Sequence, residues 1–187
     1  MSRLAQYQQQ VQDGFGYEDF EPIPNGTEVT CIVETAAWET LLNNRVKPAQ
    51  NDEFIKVRYR VVGGDYDNRV IFQKLHILGK VDQDAEKNEK TEENALLMLA
   101  ALDHICLGGA MAKLPHDPED EDLAKLQAKK VLVTAGINRF KNQFGEMQAT
   151  NFVRFLAPVP SQRQARDTGD GEEGGRERRP RRERRAR

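Results

Sequence analysis

Residues 54–62 alternate strictly, setting Ile55, Val57, Tyr59 and Val61 toward a core and Lys56, Arg58 and Arg60 away from it. Residues 63–68, Gly-Gly-Asp-Tyr-Asp-Asn, accept turn geometry, and residues 69–78 read as a returning strand. The return has two registers. One buries Ile71, Leu75 and Ile77 with Gln73 as the single polar intruder, and the other buries Lys74 and His76. The first costs less desolvation, so Phe72, Lys74 and His76 are predicted to join Lys56, Arg58 and Arg60 on an outer face. An aromatic ring among cations on a hairpin surface suits single-stranded nucleic acid, with cations for phosphates and ring faces for bases.

The same alternation over residues 27–35 turns Val29, Cys31 and Val33 inward and Glu28, Thr30 and Glu34 outward, a first strand whose carboxylates are expected to face away from any phosphate track. Residues 36–52 read as a long polar connection into the basic hairpin. It carries Trp38, for which two readings are open: packing against the domain, or stacking on a base. Residues 79–90 read as a charged loop, with Thr91 as N-cap of a helix that is apolar almost all round from 95 to 107 and ends at Gly108-Gly109. That helix is expected either to plug one end of the core or to form an oligomer contact. A Pro- and acid-rich loop at 114–122 precedes a short helix with Lys125, Lys129 and Lys130 toward its end. Residues 131–137 and 147–156 read as the last two strands. The tip between them interleaves Arg139 and Lys141 with Phe140 and Phe144, either as exposed turn residues or as a second cation and aromatic cluster.

Charge sharpens this picture. The formal net charge of -2 over 187 residues conceals an asymmetry: residues 161–187 hold ten Arg against six acids, which leaves residues 1–160 with a net of -6. The C-terminal segment has no apolar residue beyond Ala165 and Ala186, so it is predicted to be disordered in isolation, a polycation that either solubilises the chain or raises encounter with nucleic acid. At the other end, a Gln-rich start leads to Phe15, Tyr17, Phe20 and Ile23, read either as anchors across the domain or as a binding arm. The chain begins without the basic-then-apolar form of a signal peptide and has no apolar run of roughly 20 residues, so a soluble cytoplasmic protein without membrane contact is expected. Cys31 and Cys106 are read as reduced, buried thiols.

Reactive chemistry is sparse. His76, His104 and His116 lie in different segments without ligand spacing, the acids at 117–122 read as a solvated loop, and no nucleophile stands in a recognisable motif. No enzyme, metal or cofactor is expected.

The order strand, strand, strand, helix, strand, strand resembles the oligonucleotide/oligosaccharide-binding barrel, in which a helix between strands three and four caps one end. By residues 17–26 leading into the first strand, 54–62 followed by 63–70, and the small-residue helix followed by Lys130-Val131-Leu132-Val133, the chain is similar to a family of phage-encoded single-stranded-DNA-binding-like proteins placed with replication and recombination. The resemblance covers about residues 15–158 and implies a mainly β fold, a five-stranded barrel with an arm at 1–26, the domain at 27–158 and a disordered Arg-rich tail at 159–187. It also implies a non-catalytic protein coating single-stranded DNA in the host cytoplasm, with replication or recombination proteins as further partners and a homo-oligomer as an open question. The tail departs from related proteins that end in acids to recruit partner enzymes. On this reading Lys56, Arg58, Arg60, Lys74, His76, Arg139 and Lys141 meet the backbone, and Phe72, Phe140, Phe144, Trp38 and Tyr66 stack on bases. Two alternatives stand beside it: a protein-docking module and an RNA-binding protein.

Overall fold

The computed structural model describes residues 21–141, 145 and 147–160. Phe15, Tyr17, Phe20 and Phe144, and the expected disorder of the C-terminal segment, lie outside the described residues. Five strands form one antiparallel sheet: β1 (Glu28–Asn43), β2 (Gln50–Val61), β3 (Val70–Leu75), β4 (Lys130–Lys141) and β5 (Met147–Ala157), in the order β3-β2-β1-β4-β5. Between β3 and β4 lie helix α1 (Ala85–Leu107), a 3-10 turn at Met111–Lys113 and a short helix α2 (Asp120–Ala124).

The predicted register of the hairpin is the observed one. Val57 lies opposite Gln73, Arg58 opposite Phe72 and Lys56 opposite Lys74. Val29, Cys31, Val33, Ile55, Val57, Tyr59, Val61, Ile71, Leu75, Val131, Val133 and Ala135 build the core, with Ile23 and Ile77 packed into it. Gln73 is buried among them because the Tyr59 hydroxyl donates to its Oε1 at 2.7 Å, so the hydroxyl and the Gln73 carbonyl oxygen satisfy each other. Ile23 is locked by a two-way contact with Asn151, whose Oδ1 accepts from the Ile23 N–H while its amide nitrogen donates to the Ile23 carbonyl. Ile137, which alternation places on the same face as Val131, Val133 and Ala135, is half-buried.

Three differences from expectation bear on the site. First, β1 runs to Asn43 and pairs with β2 as far as Gln50, so most of the expected connection is a long hairpin arm. Its polar composition disguised it, because an arm of two strands projecting past the core needs no strict apolar face. Second, α1 starts at Ala85, capped by Asp84, whose carboxylate accepts the Lys87 N–H at 2.9 Å; Thr91 sits inside the helix and bonds Gln83. An exposed first half with Lys87–Asp84 and Lys90–Glu86 pairs looks like a loop by hydropathy alone. Gly108 ends the helix in the left-handed conformation at φ 68°, as expected. Third, the closed barrel implied by resemblance is absent as a hydrogen-bonded ring: β3 and β5 lie alongside each other, but no ladder joins them among the described residues.

Helix α1 packs against β3, β4 and β5 with Ala95, Leu99 and Leu102 buried, so one face of it covers the core, and leaves Leu96 and Leu97 exposed. Asp103, also buried, accepts from the backbone N–H groups of Met111 and Ala112 and so fixes the turn that follows the helix. No helix among the described residues is long and apolar enough to cross a membrane.

Candidate nucleic-acid interface

Lys56, Arg58, Arg60, Phe72 and Lys74 share the outer face of the β2–β3 hairpin. Phe72 is 48 % exposed, and its ring lies 5.4 Å from Lys56 Nζ and 5.8 Å from the Arg58 guanidinium carbon. Cross-strand pairing therefore does what the alternation required, bringing one aromatic and several cations together on one wall.

The carboxylates are not where they were expected. A bulge between Val33 and Thr35 inserts Glu34 as an extra residue opposite β2, and its side chain lies on the basic face. Glu34 Oε2 lies 2.6 Å from Arg58 Nε, both atoms sheltered from water but without hydrogen-bond alignment, while Glu34 Oε1 accepts from Arg60 Nε at 2.6 Å. Glu39, opposite Phe54 on β1, accepts from Lys56 Nζ at 3.0 Å. Three of the wall's cations thus already have carboxylate partners. Lys74 is placed differently: its Nζ stands 4.7 Å over the ring of Phe54, and among the described residues no carboxylate lies within ion-pair distance of it.

Phe54 explains a second departure. Alternation assigns it to the outer face, yet it is 2 % exposed, because Lys74 and His76 cover it, the His76 ring at 5.0 Å. His76 lies just past the end of β3, half-buried on the same side as Lys74. Burial pulls the His76 pKa below the ordinary histidine value, helped by Lys80 and Lys74 and opposed by Asp52 and Asp82. Its Nδ1 is sheltered and has no hydrogen-bond partner among the described residues.

The remaining expected residues scatter. Trp38 belongs to β1, not to a loop, and packs against the core with its indole N–H donating to the Pro118 carbonyl at 2.8 Å and its backbone N–H to Asp120. It is not part of the basic wall. Tyr66 packs partly against the core in the β2–β3 turn, with the Arg69 guanidinium 5.0 Å from its ring. Arg139, Phe140 and Lys141 are exposed at the end of β4, past the stretch where β4 pairs with β1.

Two aromatics were missed. Phe152 and Phe155 on β5 are 43 % and 60 % exposed, with Arg154 5.5 Å from the Phe155 ring. A bulge makes Arg154 the extra residue between the Thr134–Phe155 and Ala135–Val153 pairs, which turns Phe155 outward where strict alternation from Val153 would bury it. Phe152 lies over Gly136, where a Cβ would overlap its ring atoms, so this glycine is a seat for the ring.

Among the described residues no group of His, Cys, Asp and Glu is arranged to hold a metal ion. Burial pushes the Cys31 thiol up to about 12 and the Cys106 thiol up to about 11, which keeps both protonated and unreactive at neutral pH. No protein-family model matches this chain, and no curated protein is significantly similar to it.

Proposed function

We propose that this protein binds single-stranded DNA with little sequence preference, as a non-catalytic coat in phage-type replication or recombination. The reading is carried by one observation, the half-exposed Phe72 ring held in register with Arg58 and Lys56 on an open sheet face. Stacking of a base on such a ring is sequence-tolerant, because every base has a π-face, and contributes about 1–3 kcal/mol. The strand order, with β3 and β5 alongside and α1 between strands three and four, supports a barrel of the oligonucleotide-binding type open at its β3–β5 seam. Arg58 and Arg60 would exchange Glu34 for phosphate, so their contribution is the difference between two ion pairs.

Fluorescence anisotropy of labelled oligo-dT at several salt concentrations tests this. Expected is binding that weakens steeply as salt rises, because neutralised phosphates release counterions. Binding that is absent at low salt, or indifferent to salt, overturns the proposal. Competition by duplex DNA and by RNA of the same length decides between single-stranded DNA and the RNA-binding alternative.

One observation favours the protein-docking reading as a second role: Leu96 and Leu97, 48 % and 61 % exposed, adjoin each other on α1. Leu96→Glu with Leu97→Glu is expected to leave oligo-dT affinity unchanged while abolishing any self-association seen by sedimentation. Unchanged sedimentation removes self-association through this patch.

A further inference from the structure

Two clefts open beside β3, and they meet at the same three side chains, Lys74, His76 and Lys80. One, of about 450 Å³, lies under the β1–β2 hairpin arm and is walled on its far side by Leu41, Leu42 and Arg45. The other, of about 360 Å³, lies on the seam between β3 and β5 and is walled by Phe72, Met98 and Phe152. Both volumes fall within the roughly 300–1,000 Å³ typical of sites for small organic groups.

We propose that these clefts form one continuous track for single-stranded DNA, in which Lys74 and Lys80 grip a backbone phosphate between two hollows, and the Phe72–Phe152 hollow receives a base. The proposal rests on the single-stranded-DNA reading and fixes where on the surface the strand runs. It shifts the phosphate contact away from Arg58 and Arg60 to Lys74 and to Lys80, a cation that the strand alternation does not single out.

Charge is the first argument. Lys56, Arg58 and Arg60 are each held by a carboxylate of β1, whereas neither Lys74 nor Lys80 has a carboxylate within ion-pair distance among the described residues. Asp52 and Asp82 also line the cleft under the arm, Asp82 paired with Arg45 and Asp52 accepting from Asn43 and the Val81 N–H, so a phosphate arriving at Lys74 and Lys80 displaces no ion pair of either lysine, whereas one arriving at Arg58 must displace Glu34. Geometry is the second. Phe72 and Phe152 come from the two sheet edges that no ladder joins and line the same cleft; both rings are about half exposed, and they make no ring contact with each other. A flat group entering between them gains two apolar faces at once. The third is bracing. Gly136 seats the Phe152 ring against the backbone, and α1 closes the back of the same cleft through Thr91, Asn94 and Met98, so one wall is set before a ligand arrives. Where the clefts join, His76 Nδ1 keeps an unused hydrogen-bonding position.

The test uses the full chain and labelled oligo-dT. Lys74→Gln with Lys80→Gln is expected to weaken binding at least tenfold at low salt and to flatten the logarithmic salt slope by roughly 0.7, the loss of one phosphate contact to a single strand. Phe152→Leu is expected to cost roughly tenfold with little change in slope. Lys87→Gln, which removes an exposed cation of α1 that lines neither cleft, is expected to stay within about twofold of the parent. Ultraviolet cross-linking of oligo-dT to the unaltered protein is expected to mark Phe72 and Phe152. If the parent binds while the lysine pair and Phe152→Leu variants, folded by circular dichroism, bind as tightly, the track is wrong and strand binding stands. Cross-links confined to residues outside both clefts overturn the track in the same way. If the parent fails to bind at low salt, both proposals fall.

Discussion

Tyr59 and Gln73 show how one contact settles a register. The hydroxyl, almost wholly buried, has its pKa raised well above 10 by desolvation, so it is a firm donor, and Gln73 supplies the acceptor inside the core. Gln73→Leu should therefore destabilise the domain by about 1–3 kcal/mol in urea denaturation by stranding the hydroxyl, and adding Tyr59→Phe should recover most of that loss. His76 gives a pH prediction. Its folded pKa lies below the unfolded value of about 6.5, so the folded state binds fewer protons. Its contribution is full above pH of about 6.5 and is lost as pH falls through the folded pKa. Lys74, Lys80, Asp52 and Asp82 surround it, and only the acids oppose the shift. Thermal melting should show stability falling below about pH 6.5, less steeply in His76→Gln. At this scale the sequence was legible wherever period two held: Lys56, Arg58, Phe72 and Lys74 share the face assigned to them. The burial of Phe54 was not legible, because alternation says which side a residue takes, and not that Lys74 and His76 will fold over it.

At the scale of elements, both bulges carry a charged extra residue, Glu34 in β1 and Arg154 in β5. Each resets the phase of its strand, which is why Phe155 escaped notice; Glu34 keeps the outward side that alternation gives it, and that side is the basic one because β1 and β2 present their outer residues to the same face. Nothing in the local composition announces a bulge; it is set by the curvature that the paired strands must follow. The extended β1–β2 arm was hidden for a related reason, since strands that run past the core lose their apolar face. Asp103 links α1 to the turn behind it. Asp103→Ala should free two backbone N–H groups and cost about 2 kcal/mol in denaturation, with Asp103→Asn intermediate because its carbonyl oxygen still accepts.

Across the whole molecule, an acidic residue balance over 1–160 is joined to a basic C-terminal segment. A strand-binding face on such a chain has to work by local charge and ring stacking, because the field of the domain as a whole repels phosphate. Removing residues 176–187 should thus weaken oligo-dT binding and flatten its salt dependence while leaving measurable affinity. Phe72→Ala with Arg58→Ala should cost more, and a tail deletion that alone abolishes binding would remove the sheet face from consideration. The succession of strands along the chain and the place of the helix between the third and fourth were readable from the alternation and its breaks. Whether the sheet closes was not, because closure depends on how two edges about 80 residues apart in sequence meet in space.

The unclosed meeting of β3 and β5 has a dynamic consequence. Each edge strand has a ladder partner on one side only, so alternate amide protons of both lack a neighbouring strand to hold them. Deuterium should enter those positions sooner than it enters the amides of the ladder shared by β1 and β2 over the core, where a further strand flanks each. Anything lying in the crevice, nucleic acid or otherwise, should slow that uptake at the two margins together.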